Sequence, residues 1–312
     1  MIELINVTKK YGEVKALDNV SLLIKKGTVL GLVGSNGAGK STTFSILSTL
    51  LAPTSGDAII NDISVVEHPE KTRAFIGYMP DFFGVYDQLK VDEYLDFYAS
   101  SYHIEGAEKE QLIQELLALV NLSDKRFAYV DHLSRGMKQR LCLARTLIHS
   151  PEVLILDEPA SGLDPIARSE MRDILKKLKE SGKTILISSH ILPELADMCD
   201  EIAVLEKGKL IAHGNVAAIQ AQLQGEKVLD IFVTNGIDVA ISLLEQSVLV
   251  KNIQSEDNKL TFSFSGTLLE QSALLKELLN VGVGVYSVNE ETYDLEDIFI
   301  AITKGVVSNE TI

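Results

Sequence analysis

The sequence predicts an α/β protein in which a largely parallel sheet is covered by helices and followed by a smaller α+β domain. Three observations carry that prediction. Short apolar runs at Ala58-Ile59-Ile60, Phe75-Ile76-Gly77-Tyr78, Val153-Leu154-Ile155-Leu156 and Thr184-Ile185-Leu186-Ile187 alternate with segments of helical period, the pattern of buried parallel strands and their covering helices. A glycine-rich run, Gly34-Ser35-Asn36-Gly37-Ala38-Gly39-Lys40-Ser41-Thr42, joins the apolar stretch Val29–Val33 to a helix-like segment. Near Gln222–Glu226 the pattern gives way to a shorter β-α-β-β-α-β series.

Residues 1 to about 35 alternate apolar and polar positions around turns at Tyr11-Gly12-Glu13 and Lys25-Lys26-Gly27, which predicts an initial antiparallel β layer. The helix after the glycine-rich run is expected over Thr43 to Leu51. From Val91 to Ile148 the periodicity is helical, with a stripe of Leu112, Leu116, Leu119 and Val120, so a helical subdomain inserted into the α/β core is expected. In the last part, strands are expected at Val228–Val233, Val248–Ile253, Leu260–Phe264 and Val283–Val288. Helices are expected near 237–246, 268–280 and 294–304, in a ferredoxin-like arrangement.

Composition narrows the function classes. With 44 acidic against 29 basic residues the net charge is −15, which opposes a nucleic-acid backbone and gives no electrostatic reason to bind anionic lipid. Met1–Val7 lacks a basic region and an apolar core, and no apolar run approaches the roughly 18 residues of a spanning helix. The expectation is a cytoplasmic chain with no direct membrane insertion, whose membrane link, if any, runs through a protein. Cys142 and Cys199 sit in apolar helical patterns without zinc-site spacing and read as buried, reduced thiols.

The glycine-rich run is a phosphate cradle. Gly34, Gly37 and Gly39 let the backbone turn tightly and aim N–H groups, with those of Ser35, Asn36, Ala38 and Thr42, at an anion that the following helix also faces with its positive end. Lys40 reaches the β- and γ-phosphates and Ser41 the Mg²⁺. Farther on, the apolar run Val153–Leu156 ends in Asp157-Glu158, where the C-terminal end of a strand meets a bound nucleotide. Asp157 suits the hard ion Mg²⁺, and Glu158 is then left to orient and deprotonate an attacking water.

These residues, with Leu133-Ser134-Arg135-Gly136-Met137-Lys138-Gln139-Arg140, Ser161-Gly162-Leu163-Asp164 and Ser188-Ser189-His190, resemble the ordered motifs of ATP-binding-cassette (ABC) ATPases over residues 2 to about 220. The resemblance implies a P-loop NTPase of ABC type: a RecA-like core, an N-terminal antiparallel β layer and a helical insert at about 88–150. On this reading residues 1–222 are the ATPase domain and 226–312 an accessory domain. It further implies that His190 contacts the γ-phosphate and Glu158, that Tyr11 stacks on adenine, and that Ser134 and Gly136 act on ATP held by a second cassette. ATP and Mg²⁺ are the implied cofactors. The implied partners are a second cassette, identical or not, and integral membrane permease subunits that hold the chain at the cytoplasmic face. The stretch Leu295-Glu296-Asp297-Ile298-Phe299 resembles exporter-type cassettes. The alternative class is a soluble cassette ATPase of DNA repair or translation, which usually carries a coiled coil, zinc modules or two cassettes.

Three residues depart from the family pattern. Asp81 stands where the family carries a metal-facing glutamine, and can bind Mg²⁺ through water or withdraw from it. Arg135 replaces the first signature glycine, where its guanidinium can reach a phosphate or point to solvent. Met137 replaces a glutamine.

Overall fold

The computed structural model describes residues 1–82, 84, 86, 88–189, 195, 198–215 and 227–291. The chain divides into two compact units, Met1–Val216 and Ala217–Ile312.

In the first unit, β1 (Ile2–Tyr11) and β2 (Val14–Ile24) form an antiparallel hairpin. β4 (Ser55–Ile60) pairs antiparallel with β1, and β5 (Ile63–Ser64) with β4. The run Ala58–Ile60, expected in the parallel sheet, therefore belongs to the antiparallel layer. Its alternating burial explains why: one face is wet, whereas the strands of a doubly covered parallel sheet are apolar on both faces. The reverse holds for β3 (Val29–Val33), which falls within the expected β layer yet is buried at every position and runs parallel to β8 (Thr184–Ser189) and β9 (Glu201–Glu206).

The second sheet has the strand order β10-β9-β3-β8-β7-β6, with β6 at Ile76–Met79, β7 at Val153–Leu156 and β10 at Lys209–Asn215. All neighbours are parallel except β10, which is antiparallel to β9. One continuous core joins the two sheets through residues such as Ile2, Leu4, Leu30, Ile155 and Leu186. Helix α1 (Lys40–Leu47) inserts Phe44, Ile46 and Leu47 into it, all fully buried, which stabilises the helix base by about 2 kcal/mol per side chain. The helix starts three residues before the expected Thr43 and stops at Leu47 rather than Leu51. Thr49 is left-handed (φ 61°), and the amides of Leu50 and Leu51 turn back to the Ser45 carbonyl.

Between β6 and β7 lie α3 (Val91–Ser101), α4 (Gly106–Leu119) and α5 (Arg135–Leu147), after the short α2 (Pro69–Arg73). The buried stripe of α4 is Ile113, Leu116, Leu117 and, beyond its end, Val120. Leu112 and Leu119, one position off that stripe, are only half-buried. Helix α6 (Pro165–Glu180) begins with Asp164, whose Oδ1 accepts from Ile166 N at 3.0 Å and Ala167 N at 2.9 Å. It buries Met171, Ile174, Leu175 and Leu178, a 3.6-residue stripe. Cys142 is buried within α5; Cys199 is half-buried in the loop before β9 rather than in a helix.

In the second unit, β11 (Lys227–Val233), α7 (Ile237–Glu245), β12 (Val250–Glu256), β13 (Lys259–Phe264), α8 (Leu268–Asn280) and β14 (Val285–Glu291) follow in that order. The sheet is fully antiparallel, ordered β12-β13-β11-β14. Leu229, Ile231, Val233, Leu260, Phe262 and Phe264 alternate onto one face and pack against Ala240, Leu244, Leu274 and Leu278 of the helices. A capping box starts α8: the Glu270 carboxylate accepts from Thr267 N at 2.7 Å, and Thr267 Oγ1 accepts from Glu270 N. The expected helix at 294–304 and the stretch Leu295–Phe299 lie outside the described residues.

Candidate nucleotide site

The loop between β3 and α1 is shaped by close approach. Gly39 precedes α1 at φ 112°, and a Cβ there would stand 2.7 Å from the Ala16 carbonyl oxygen, so only glycine fits. Ala38 N donates to Ser35 O at 3.0 Å, and Ala38 O accepts from Gly208 N at 3.0 Å, which pins the loop to the turn before β10. Lys40, 8% exposed, reaches back over the loop and donates to Gly34 O at 2.6 Å. An ammonium satisfied by a carbonyl beside the cleft is poised to exchange that contact for a phosphate oxygen.

The loop borders a cleft of about 590 Å³. Ser35, Asn36, Gly37, Gly39, Lys40, Ser41 and Thr42 line it together with Ala16, Asp81, Asp157, Glu158 and Ser161. Gly34 and Ala38 support the loop from behind the lining: Ala38 is buried, and Gly34 lends Lys40 its carbonyl. The parallel pairing of β3, β8 and β7 sets the strand ends carrying these groups side by side, as expected of an open α/β sheet.

The electrostatics of the cleft are strained toward a cation. Asp157 is 6% exposed, and its carboxyl is pushed above the usual range, first by burial and then by the negative charges of Asp81 and Glu158. Hydrogen bonds from Ser188 and Ser41 oppose the shift; Ser188 Oγ donates to Asp157 Oδ1 at 2.5 Å. The same Ser188 oxygen accepts from Glu158 N at 2.8 Å, so one hydroxyl orients both acidic residues. The Tyr78 hydroxyl, under the same field, is raised to about 12 by burial and by the charges of Asp157 and Asp81. Glu158 itself is left-handed, at φ 51°. A non-glycine residue held there marks a site where structure overrides local preference.

Among the described residues no group of three His, Cys, Asp or Glu side chains is arranged to hold a metal unaided. Mg²⁺ takes one or two protein oxygens and completes its shell with substrate phosphates and water. Ser41 Oγ and the desolvated Asp157 carboxylate fit such a half-site, with Asp81 on the same cleft.

Other expected site residues fall elsewhere. Tyr11 ends β1, 52% exposed, with Lys9 Nζ 5.5 Å from its ring centroid, and is not part of the cleft lining. Ser134 is exposed and caps α5, accepting from Met137 N at 3.3 Å; Gly136 is buried under α6. Neither lines this cleft. His190 lies outside the described residues. Ser188 and Gln139 figured in the sequence only as members of motif runs, with no role of their own, and Ala16 not at all. The polar pair Ser188-Ser189 at the end of the strand Thr184–Ser189 was the available signal for Ser188.

Residues 17–161 match the family described as "ABC transporter". The "Probable multidrug ABC transporter ATP-binding protein YbhF" of Escherichia coli (strain K12) is 38% identical over 230 residues, 74% of this chain. The chain spans only 40% of that relative's length. The "Bacitracin transport ATP-binding protein BcrA" of Bacillus licheniformis is 34% identical over 98% of both chains. A solved structure, "Dimeric structure of a post-hydrolysis state of the ATP-binding cassette MJ0796 bound to ADP and Pi", superposes with a TM-score of 0.63 at 30% identity, covering 69% of this chain and 99% of that one. With a phosphate loop, an acidic strand end beside it and this likeness along nearly its whole length, the chain belongs to the ABC transporter family of ATP-binding proteins.

Proposed function

We propose that this chain is the ATP-binding and ATP-hydrolysing subunit of an ABC transporter that energises export. The observation that carries the reading is the convergence of Lys40, Ser41, Asp157 and Glu158 on one cleft. Lys40 neutralises the β- and γ-phosphates, the loop amides cradle them, and Ser41 and Asp157, with Asp81 through water, hold Mg²⁺. When bound, Mg²⁺ offsets charge on the phosphate oxygens. Glu158 orients and deprotonates the attacking water, His190 contacts the γ-phosphate, and Tyr11 stacks on the base. Ser134 and Gly136 at the start of α5 act on the nucleotide of a second cassette, identical or not, so that ATP binding closes the pair and hydrolysis opens it. The dimeric relative bound to ADP and Pi supports this pairing.

Among the described residues no helix is long and apolar enough to cross a membrane. On this reading separate permease subunits supply the pathway and choose the substrate, and hold this chain at the cytoplasmic face. A relative from Rhizobium meliloti named "Nod factor export ATP-binding protein I", 38% identical over 74% of this chain and 69% of its own length, supports export. Residues 226–312 form a ferredoxin-like accessory domain. The β-α-β-β-α-β order and the sheet order β12-β13-β11-β14 support that reading.

The test is phosphate release by the purified chain. Glu158→Gln is expected to lower the rate by roughly 10²–10⁴ while ATP binding persists. A variant that hydrolyses like the wild type removes Glu158 from the reaction. Purification from detergent-solubilised native membranes should bring a polytopic protein with it, and recovery with ribosomes or nucleic acid instead would overturn the transport reading.

A further inference from the structure

The loop Ser161–Asp164 is held from two directions. On the cleft side, Ser161 lines the nucleotide site and its N–H donates to the Glu158 carbonyl at 3.1 Å. On the other, three positions of α5 meet it. Gln139 Nε2 donates to the Ser161 carbonyl at 3.1 Å. Gly136 lies so near that a Cβ there would stand 3.3 Å from Leu163 Cδ2 and 2.9 Å from Ala167 Cβ. The guanidinium of Arg135 fills the space where a side chain on Gly162 would go: a Cβ on Gly162 would stand 2.6 Å from Arg135 Cζ and 2.7 Å from Nη1. Gly162 has φ +67°, a conformation that favours glycine, and a side chain there would have to displace the Arg135 guanidinium.

We propose that Arg135 is a positioning residue for hydrolysis. Its guanidinium, seated on Gly162, holds the Ser161–Asp164 loop. Through the Ser161–Glu158 hydrogen bond the loop keeps Glu158 in its left-handed conformation at the cleft. The inference rests on the reading of Glu158 as the general base. It assigns Arg135 to the base of its own chain rather than to a partner's phosphate or to solvent. A planar, weakly hydrated guanidinium can lie against a bare peptide; a compact, strongly hydrated ammonium cannot substitute for it, and a glycine leaves the seat empty.

The full-length chain is compared with Arg135→Gly, Arg135→Lys, Gly162→Ala and the double variant Arg135→Gly/Gly162→Ala. Arg135→Gly is expected to lower kcat for ATP on the order of five-fold with KM unchanged, and Arg135→Lys not to restore it. Amide hydrogen exchange across Ala160–Asp164 should quicken in Arg135→Gly while that of β11 to β14 stays as in the wild type. Gly162→Ala should lower the melting temperature more in the wild-type background than in Arg135→Gly, where the group it strikes is gone. Unchanged exchange across the loop, or strictly additive melting shifts, would overturn the proposal. So would a raised KM at unchanged kcat, which assigns Arg135 to nucleotide binding. A wild type without ATPase activity would sink the functional reading; the exchange and melting measurements, made without nucleotide, would still decide whether Arg135 holds the loop.

Discussion

Two aspartates, one in each unit, are treated in opposite ways. Asp157, at the candidate nucleotide cleft, is nearly fully buried, faces the charges of Asp81 and Glu158, and, among the described residues, is supported by the hydroxyls of Ser188 and Ser41; its carboxyl is pushed up. Asp230, on the outer face of the β11–β14 sheet, accepts from Thr261 Oγ1 at 2.6 Å and pairs with Lys259 Nζ at 2.9 Å. Burial alone would raise it as well, but the Lys259 ammonium and the two hydrogen bonds outweigh burial and hold it below its usual range. A carboxylate placed for stability arrives with its cation in the chain. On the proposed reading, one placed for binding leaves the cation's seat to a ligand, and the fold bears the cost until the ligand comes.

The largest effect that can break this comparison is at Asp157. Asp157→Asn is expected to lower ATP hydrolysis by at least about 10²-fold, because the metal-facing charge is lost. In metal-free, nucleotide-free buffer the same variant should melt higher than the wild type, since it removes a buried charge that burial, Asp81 and Glu158 all oppose. A melting temperature that falls instead would mean that Asp157 is already satisfied within the chain.

The smaller counterpart is at Asp230. Asp230→Asn should destabilise the second unit by about 1–2 kcal/mol at neutral pH, read from denaturant unfolding, and leave hydrolysis unchanged. The sign with pH follows from the lowered carboxyl. Its contribution is fully present above the unfolded value of 3.8 and is lost as pH falls through the lower folded value, so wild type and variant should converge in acid. A gap that persists below that range would mean that packing, not charge, sets the effect. The smallest effect sharpens the border of the cleft: Tyr11→Ala should raise the KM for ATP by about three- to ten-fold with kcat unchanged, the size of one ring-stacking contact. No change would leave Tyr11 with Lys9, whose Nζ lies 5.5 Å from its ring centroid.

Much of the site was legible because it is built from neighbours in the chain. The run Gly34–Thr42 specifies its own turn and the helix that follows, and Asp157-Glu158 ends an apolar strand, so each fragment declares its chemistry within a few residues. The helices between β6 and β7 and the element order over residues 227–291 were legible for the same reason: their periods of 3.6 and 2 are local. Ser188 was not legible, since its bond to Asp157 spans 31 residues and a serine near a strand end has no distinctive pattern. Nor was the partner of β4, because an apolar run of three residues fits a parallel core strand and a half-buried antiparallel one equally well.

The sequence by itself determined that a phosphate loop precedes a helix, that an acidic pair follows a strand, and that a second α+β unit comes after. Those properties depend on backbone permissiveness and side-chain period, which act over one turn or one strand. Only the tertiary structure decided that Ser188 serves both Asp157 and Glu158, that Ala58–Ile60 joins the antiparallel layer, and that the Arg135 guanidinium rests on Gly162. These are long-range contacts, and such a contact is selected by closing hydrogen bonds and filling space between segments whose separation no local pattern records.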